Sequence, residues 1–467
     1  MLKHCSKVLV FLVIFSFLSC VGPDSDDDDA ADDDTQADDD DADDDSDDDV
    51  DDDVNDDADD DVNDDVNDDA DDDADDDVND DVDDDIDDDA DDDIVLPHPP
   101  GRYVAFVTDA TENAIETLMN FRTQQGYSVE IVNVDDLMAQ TPGAPVEELA
   151  RDYLMDTYET SREVSKPYCL IVAGYNTMPM PVLDTDPMNP NTYSTATDAY
   201  YADIDVDWDF DGDGVIGEWD EDVFSLDAEY LIGRIPSDDP ELVGDYCDKV
   251  VDFESDGESA YKWETLLLAG YIAIDGDSAI ILNMIRNNTL MPGGYGVHRM
   301  YEEGGPFPGE EILNTDNLLE QWGNNPYGLV IWASHGSTHG AFFIDSDDAP
   351  LFGAGETSMV MSSACNQSNP DADDNIGASM VLHGPGAAFV GSSEITHPGE
   401  LGEGSLIFMV MTDYYMNLND TLGHALYHSM DVYIENFFML PYDRGLFLRN
   451  YYGFHILGDP AQTYWPR

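Results

Sequence analysis

Basic residues are scarce in this sequence, which has 15 Lys and Arg against 108 Asp and Glu and a formal net charge of −93. Surfaces that bind nucleic acids or anionic lipids use clustered Lys and Arg to replace counterions, so we expect no nucleic-acid partner. The acid is unevenly spread: 47 Asp lie between Asp24 and Ile94, a stretch without Glu, Lys, Arg or aromatic residues. The remainder, Val95–Arg467, keeps 61 acidic and 13 basic residues and is rich in apolar side chains, which predicts one large folded domain or two.

A hydrophobic run long enough to span a bilayer is missing from the N-terminus. The apolar run Val8–Leu18 has 11 residues, whereas a spanning helix needs roughly 20. Lys3 and Lys7 give it a basic start, so residues 1–20 are predicted to be a secretory signal peptide. Its end, Leu18-Ser19-Cys20, resembles the lipobox of bacterial lipoproteins. This resemblance implies cleavage before Cys20 and a diacylglycerol on its thiol; an ordinary signal peptide is the alternative.

Residues 21–95 are predicted to be a disordered Asp-rich spacer that holds the folded part away from a membrane. A Val, Ala or Ile recurs at every fourth position from Val50 to Ile94, but Asp is a poor helix former and like charges four residues apart oppose a helix. Low hydrophobicity and high charge predict an extended chain, with a maximal reach of roughly 240 Å. Calcium binding by this spacer is the less favoured alternative, since no Gly is spaced to turn the chain around an ion.

We therefore expect an exported protein, anchored by lipid at the bacterial cell surface and in contact with the membrane through that anchor. Val21 offers no inner-membrane retention signal, which favours the outer membrane.

Cysteine is also sparse. Once Cys5 and Cys20 are assigned to the signal peptide and the lipid, three remain: Cys169, Cys247 and Cys365. An odd number leaves at least one free thiol in an exported protein. Cys169 and Cys247 lie in apolar surroundings and are expected to be core residues or a mutual pair.

Residues 96–467 alternate strand-like apolar runs with helical patterns. Such near-continuous hydrophobic strands predict an α/β fold with mostly parallel sheets flanked by helices. The charged segment around residues 255–263 divides it into two adjacent subdomains, 96–258 and 259–467. The predicted strands are 102–109, 127–134, 168–174, 265–274, 327–334, 358–365 and 386–393, with a last strand near the C-terminus, and the predicted helices are 112–125, 145–160, 240–254, 277–288, 309–322 and 404–437.

Two of these strands end in reactive residues, His335 and Cys365. Ligands gather at the carboxyl ends of parallel strands, and a separation of 30 residues fits one strand and its crossover. A nearby imidazole raises the thiolate fraction of a cysteine and can protonate a leaving amine. The backbone N–H groups of Gly336 and Cys365 are candidates for stabilising an oxyanion. The alternative is a buried Cys and a capping His without catalytic function.

The sequence resembles the gingipain-like cysteine peptidases, family C25 of the caspase-type clan, over residues 101–467. The resemblance rests on four motifs in order: Gly233-Arg234-Ile235, His335-Gly336-Ser337, Ala364-Cys365-Asn366 and Gly458-Asp459-Pro460. It implies two side-by-side α/β subdomains, with hydrolysis of protein or peptide substrates in the second and no organic cofactor.

The catalytic His of that family has a Glu behind it, at the end of the first strand of the second subdomain. This chain instead has Asp275 and Asp277 after the predicted strand 265–274. We expect Asp275 to be the carboxylate that orients His335.

A calcium site is predicted in the acidic segment 203–222. Asp209, Asp211 and Asp213 occupy positions 1, 3 and 5 of an EF-hand-type loop, with Gly214 at position 6 and the Val215 carbonyl at position 7. Position 12 is Asp220, shorter than the usual Glu. An alternative register starts at Asp207 and ends at Glu218. We expect a bound Ca²⁺, because so many carboxylates repel one another without a cation. Its expected role is structural, ordering a long insert of the first half.

Other histidines are weaker candidates. His339 follows the His335 loop but lies beyond the end of the strand. His424 and His428 have helical metal-ligand spacing but lack a third ligand in the sequence. The leading hypothesis is a surface-tethered cysteine endopeptidase with Cys365 as nucleophile and His335 as general acid and base. The alternative is a catalytically inactive calcium-binding surface protein that keeps the peptidase fold.

Overall fold

The computed structural model describes residues 98–158, 165–184, 194–218, 222, 226–271, 278–396, 403–437 and 444–467. The predicted signal peptide, Cys20 and the predicted Asp-rich spacer therefore lie outside the described residues. None of the helices in the described ranges combines the length and the apolar character that crossing a bilayer requires.

One 11-stranded sheet runs through the folded part in the order β2-β1-β3-β6-β15-β14-β13-β10-β7-β8-β9. All its neighbouring strands pair in parallel except β14 and β15, which are antiparallel. Its strands are β1 Arg102–Val107, β2 Ser128–Asn133, β3 Tyr168–Val172, β6 Leu231–Ile235, β7 Glu264–Ala269, β8 Gly296–Tyr301, β9 Glu311–Ile312, β10 Leu329–Ala333, β13 Ser358–Ser362, β14 Gly386–Ser392 and β15 Phe454–Gly458. Two small hairpins lie apart from the sheet, β4 Val182–Asp184 with β5 Ser194–Ala196 and β11 Gly340–Ala341 with β12 Ile344–Asp345.

Helices connect these strands. Their bounds are α1 Glu116–Gln124, α2 Val134–Gln140, α3 Val146–Thr157, α4 Ala199–Ala202, α5 Pro240–Ser255, α6 Ala279–Ile285, α7 Met291–Gly293, α8 Thr315–Asn324, α9 Ile376–Leu382, α10 Glu403–Thr412, α11 Leu422–Phe437 and α12 Arg444–Gly453. The helix starts follow from local sequence: α5 begins with Pro240 behind Asp239, whose side chain accepts the Glu241 N–H.

The hydrophobic core forms two clusters of buried residues. Within β1, Val104 and Phe106 belong to one cluster, while Tyr103, Ala105 and Val107 belong to the other. Alternate residues of a strand point to opposite faces of a sheet, so both faces are covered. This explains why the central strands read as continuous hydrophobic runs in the sequence.

β15 joins the two halves of the chain. Leu457 pairs with Arg234 of β6, and Gly458 pairs with Ala388 of β14. A Cβ on Gly233 would lie 2.3 Å from the Gly458 carbonyl oxygen, so this junction requires glycine. The last strand is therefore internal, and the halves predicted at 96–258 and 259–467 share one continuous sheet.

The strands predicted from the sequence are confirmed, although β7 ends at Ala269 and residues 272–277 lie outside the described residues. The predicted helix 404–437 is two helices, α10 and α11. The sequence analysis missed several elements, including β8, α2, α9 and α12. Cys169 and Cys247 are buried free thiols, so the suggestion that they form a mutual pair is wrong.

Candidate active site

The ends of β10 and β13 lie side by side at the carboxyl edge of the sheet. Their parallel register pairs Leu329 with Met359 and Trp332 with Ser362, a constant offset of 30 residues. The Ser363 N–H then donates to the Trp332 carbonyl at 3.1 Å. The same offset separates His335 from Cys365, so the two loops that carry them leave the sheet at the same level.

Gly336 is the point where these two loops touch. A Cβ at this position would lie 2.7 Å from the Ala364 Cβ, 2.8 Å from the Cys365 carbonyl oxygen and 3.1 Å from the Cys365 nitrogen. Any side chain would therefore push the loops apart. Glycine is needed here for close backbone approach.

Several backbone hydrogen bonds fix the His335 loop. The Ser337 N–H donates to the Gly340 carbonyl at 2.8 Å, and the Ser346 N–H donates to the His339 carbonyl at 2.8 Å. These bonds attach the β11–β12 hairpin to the loop. The His335 side chain itself is exposed, so its imidazole is open to a substrate.

Cys365 is enclosed, with only 1% of the residue exposed. Its Sγ lies 3.6 Å from the Thr396 hydroxyl oxygen and 3.9 Å from the Thr396 carbonyl oxygen. The next residue, Asn366, has φ of 60° and donates its N–H to the Glu394 carbonyl at 3.1 Å. The loop after β14 thus covers the sulfur.

Gln367, which the sequence analysis missed, connects the two loops. Its side-chain oxygen accepts from the Trp332 indole at 2.7 Å and from the Ser362 hydroxyl at 2.5 Å, and its amide donates to the Gly340 carbonyl at 3.1 Å. All these groups are buried. The sequence showed only that a polar residue lies two positions after the candidate nucleophile Cys365.

Acidic side chains follow two further strands among the described residues. Asp275 and Asp277 lie outside them, so the expected orienting carboxylate is not described. Glu394 follows β14, and burial raises the pKa of its carboxyl. Glu302 follows β8 and accepts the Tyr271 N–H at 2.6 Å.

The predicted calcium loop brings three carboxylates together. Asp209, Asp211 and Asp213 each offer an oxygen within 4.8 Å of the others, a donor set that suits Ca²⁺. Gly214 has φ of 91° and donates its N–H to Asp209 at 3.2 Å, which gives the sharp turn expected at position 6. Asp220 lies outside the described residues, so position 12 is not described.

Asp222 closes the base of this acidic loop. Its carboxylate accepts the Phe210 N–H at 2.7 Å and the Glu218 N–H at 2.9 Å.

Two of the family-like motifs are structural. Arg234 forms a buried ion pair with Asp198, with bonds of 3.0 and 2.6 Å. Asp459 accepts two bonds from buried Arg122, at 2.8 and 2.6 Å, and Arg122 also pairs with Glu254. These buried charges lie on either side of the β6–β15 junction.

His424 lies in a buried cluster near both ends of the folded part. Its ring stacks on that of His98 with 3.7 Å between centroids and 2° between planes. Its Nδ1 lies 2.8 Å from the Tyr168 hydroxyl, and the His98 Nδ1 lies 2.9 Å from Asp420. Parallel stacked rings cannot both direct a lone pair at one ion, so this geometry disfavours a metal site.

Comparisons with known proteins agree on the family and the fold. The sequence profile of peptidase family C25 matches residues 96–465. The crystal structure of the Arg specific cysteine proteinase gingipain R (RgpB) is similar, with a TM-score of 0.60 and 16% identity over 78% of each chain. A complex of Porphyromonas gingivalis RgpB pro- and mature domains gives a TM-score of 0.59 and 16% identity over 78% of this chain and 79% of that chain. No curated protein sequence matches this chain.

Proposed function

This chain belongs to peptidase family C25 and is a cysteine-type peptidase, and from that premise we propose that it is an endopeptidase in which Cys365 is the nucleophile and His335 the general acid and base. Its substrates are polypeptides. The proposed chemistry is hydrolysis of a peptide bond through a covalent thioester.

In this mechanism the His335 imidazole takes the proton from the Cys365 thiol, and the thiolate attacks the peptide carbonyl carbon. The negative charge moves to the carbonyl oxygen, where the N–H groups of Gly336 and Cys365 are the proposed donors. The imidazolium then gives its proton to the leaving amine. Water, activated by the same imidazole, hydrolyses the thioester and restores the thiol.

The observation that carries this proposal is the close approach of Gly336 to the Cys365 backbone, at the end of two strands in a constant 30-residue register. It keeps the two loops in contact at the sheet edge where ligands of parallel sheets bind. Because Cys365 is almost fully enclosed, a peptide reaches the sulfur only after part of the surrounding structure shifts.

The decisive experiment is hydrolysis of a peptide library by the wild type and by Cys365→Ala. We expect the substitution to abolish hydrolysis, because no other described thiol lies at the carboxyl edge of the sheet. His335→Gln should lower kcat/KM by about two orders of magnitude or more. The matched control is His339→Gln in the same loop, an exposed residue paired with Asp374 at 3.2 Å, which should change kcat/KM by less than about threefold. Undiminished hydrolysis by Cys365→Ala would refute the proposal.

Asp275 remains the proposed orienting carboxylate for His335. Its position after β7 supports this, since Gly270, directly after that strand, packs against Ser334; a Cβ there would lie 2.7 Å from the Ser334 Cβ. Asp275→Asn should lower kcat with little change in KM, whereas Asp277→Asn should leave both within about threefold.

We also propose that the protein is exported and anchored to a bacterial membrane, the outer membrane being favoured, through a lipid on Cys20. The basic start, the short apolar run and the Ser19-Cys20 end support this. The Asp-rich segment would then separate the peptidase from the membrane surface.

We further propose that the loop from Asp209 to Asp220 binds a structural Ca²⁺. Its support is the cluster formed by Asp209, Asp211 and Asp213 together with the turn at Gly214. The Val215 carbonyl and Asp220 would be the remaining ligands. Bound calcium would order the long insert between β5 and β6.

A further inference from the structure

The loop after β14 brings a hydroxyl group close to the Cys365 sulfur. The Thr396 Oγ1 lies 3.6 Å from the Cys365 Sγ, and Thr396 is 8% exposed. We propose that the Thr396 hydroxyl is a positioning group for the nucleophile, donating a hydrogen bond to the Cys365 sulfur when that sulfur is a thiolate. This inference deepens the proposed function and rests on Cys365 being the nucleophile.

The Thr396 hydroxyl lies near two groups, the Ser363 carbonyl oxygen and the Cys365 sulfur, and can rotate between them. In the structure Oγ1 donates to the Ser363 carbonyl at 2.9 Å, which leaves its lone pairs facing the sulfur. A thiol can then donate to Thr396, either to Oγ1 or to the carbonyl oxygen at 3.9 Å. A threonine hydroxyl has one proton and turns to suit its partners.

Loss of the thiol proton reverses this arrangement. The proton leaves for the His335 imidazole, and the sulfur becomes an acceptor that carries a full negative charge. Hydrogen bonds to charged groups are stronger than those between neutral groups, so the Thr396 hydroxyl turns from the Ser363 carbonyl to the sulfur. No bond other than the S–H bond breaks in this step.

Two backbone N–H groups at the nucleophile have other roles. The Asn366 N–H donates to the Glu394 carbonyl at 3.1 Å. The Cys365 N–H is assigned to the developing oxyanion. In a protein whose excess of acid disfavours another negative charge, a donor aimed at the sulfur adds directly to the stability of the thiolate.

The test measures the rate of Cys365 alkylation by iodoacetamide against pH in the full-length protein, with the modified residue identified by peptide mass mapping. Thr396→Val keeps the shape and removes the hydroxyl, so the midpoint of the rate profile should move up by about one pH unit. Thr396→Ser restores a hydroxyl and should return the midpoint toward the wild-type value. The pH at which kcat/KM falls on the acid side should shift in the same direction as the alkylation midpoint.

Thr412→Val is the matched control. Thr412 is also buried, donates to the Phe408 carbonyl at 2.6 Å and lies 3.9 Å from the Met361 sulfur, so its loss costs stability without touching Cys365. The midpoint of Cys365 alkylation in the Thr412→Val variant should equal that of the wild type. An unchanged midpoint in Thr396→Val, or the same shift in Thr396→Ser, would overturn the role of the hydroxyl. Because alkylation is read independently of proteolysis, either result leaves the Cys365→Ala test of the peptidase mechanism intact.

Discussion

Gly336 and Cys365 are in backbone contact: a Cβ on Gly336 would lie 2.8 Å from the Cys365 carbonyl oxygen. The two proposed catalytic loops can therefore approach this closely only because Gly336 has no side chain. This contact is independent of any rotamer that His335 or Cys365 adopts.

Gly336→Ala should consequently separate the two loops. We expect kcat/KM to fall by about two orders of magnitude or more, since displacements near 1 Å have that effect on aligned groups. Overpacking should also lower the free energy of unfolding by about 1–3 kcal/mol. Peptide hydrolysis and denaturant unfolding measure the two effects.

Gly244→Ala is the control for this substitution. Gly244 lies within α5, where the nearest atom to an added Cβ is the Ala114 carbonyl oxygen at 3.9 Å. Alanine should stabilise this helix by about 0.5–1 kcal/mol and leave hydrolysis unchanged. Equal activities for Gly336→Ala and Gly244→Ala would contradict the tight contact.

Removal of calcium should destabilise the protein. We expect a chelator to lower the Tm, and added Ca²⁺ but not Na⁺ to restore it, because a ligand that binds the folded state alone stabilises it. Asp213→Asn should remove the chelator effect, and Glu320→Gln, an exposed substitution in α8, should preserve it. Thermal unfolding with and without chelator decides this; an identical Tm in both conditions speaks against a bound ion.

Acid should destabilise the fold through His424. Burial lowers the pKa of His424 to about 3, with His98 as the next cause, while Asp420 acts in the opposite direction. The folded state therefore keeps this imidazole neutral, while the unfolded chain protonates near pH 6.5. The contribution of the neutral His424 to the free energy of unfolding is fully present above about pH 6.5. It is lost as the pH falls toward 3, and about 2 kcal/mol of it is lost at pH 5.

The groups that face His424 are His98, Asp420, Tyr168 and Thr421, with Arg467 3.6 Å from Asp420. His424→Asn should lower stability at neutral pH and flatten its dependence between pH 6.5 and 5. Urea unfolding at several pH values measures the slope, with the exposed His383→Asn as control. A slope unchanged by His424→Asn would assign the acid sensitivity to other groups.

Cys20→Ser should release the protein from membranes. Without a thiol to carry the lipid, the processed chain should move from the detergent phase to the aqueous phase in a phase-partition assay. Cys5→Ser is the matched control and should leave partitioning unchanged, because Cys5 lies within the part removed with the signal peptide. Membrane retention of Cys20→Ser would refute lipidation at this residue.

Local sequence was sufficient for several features of the fold. The hydrophobic runs of β1, β3, β10, β13 and β14 predicted buried strands, because a strand covered on both faces needs apolar residues at every position. The missed strand β8 is only partly buried over its first four residues, so its pattern is weaker. The helix α9 is short and follows a loop rich in Asp and Asn, which obscured its start.

Some features of the candidate site could likewise be predicted from the sequence, and others could not. The pairing of β10 with β13 follows from strand ends 30 residues apart, and the Asp209–Asp213 spacing indicated a calcium loop. Gln367 and Thr396 could not be assigned, because most of their hydrogen-bond partners lie 27 to 35 residues earlier in the chain. Arg234 and Asp459 were recognised only as motif residues; their burial in ion pairs needed coordinates.

The sequence by itself indicated most of the buried strands, the positions of His335 and Cys365 just beyond two of them, and the acidic segment and short apolar run that precede residue 96. These features depend on residues close together in the chain. The tertiary structure decided that the two halves share one sheet through β15, that Gly336 brings the two loops into contact and that Thr396 covers the sulfur. Each of these contacts joins segments that only long-range packing can bring together, so no local pattern encodes them.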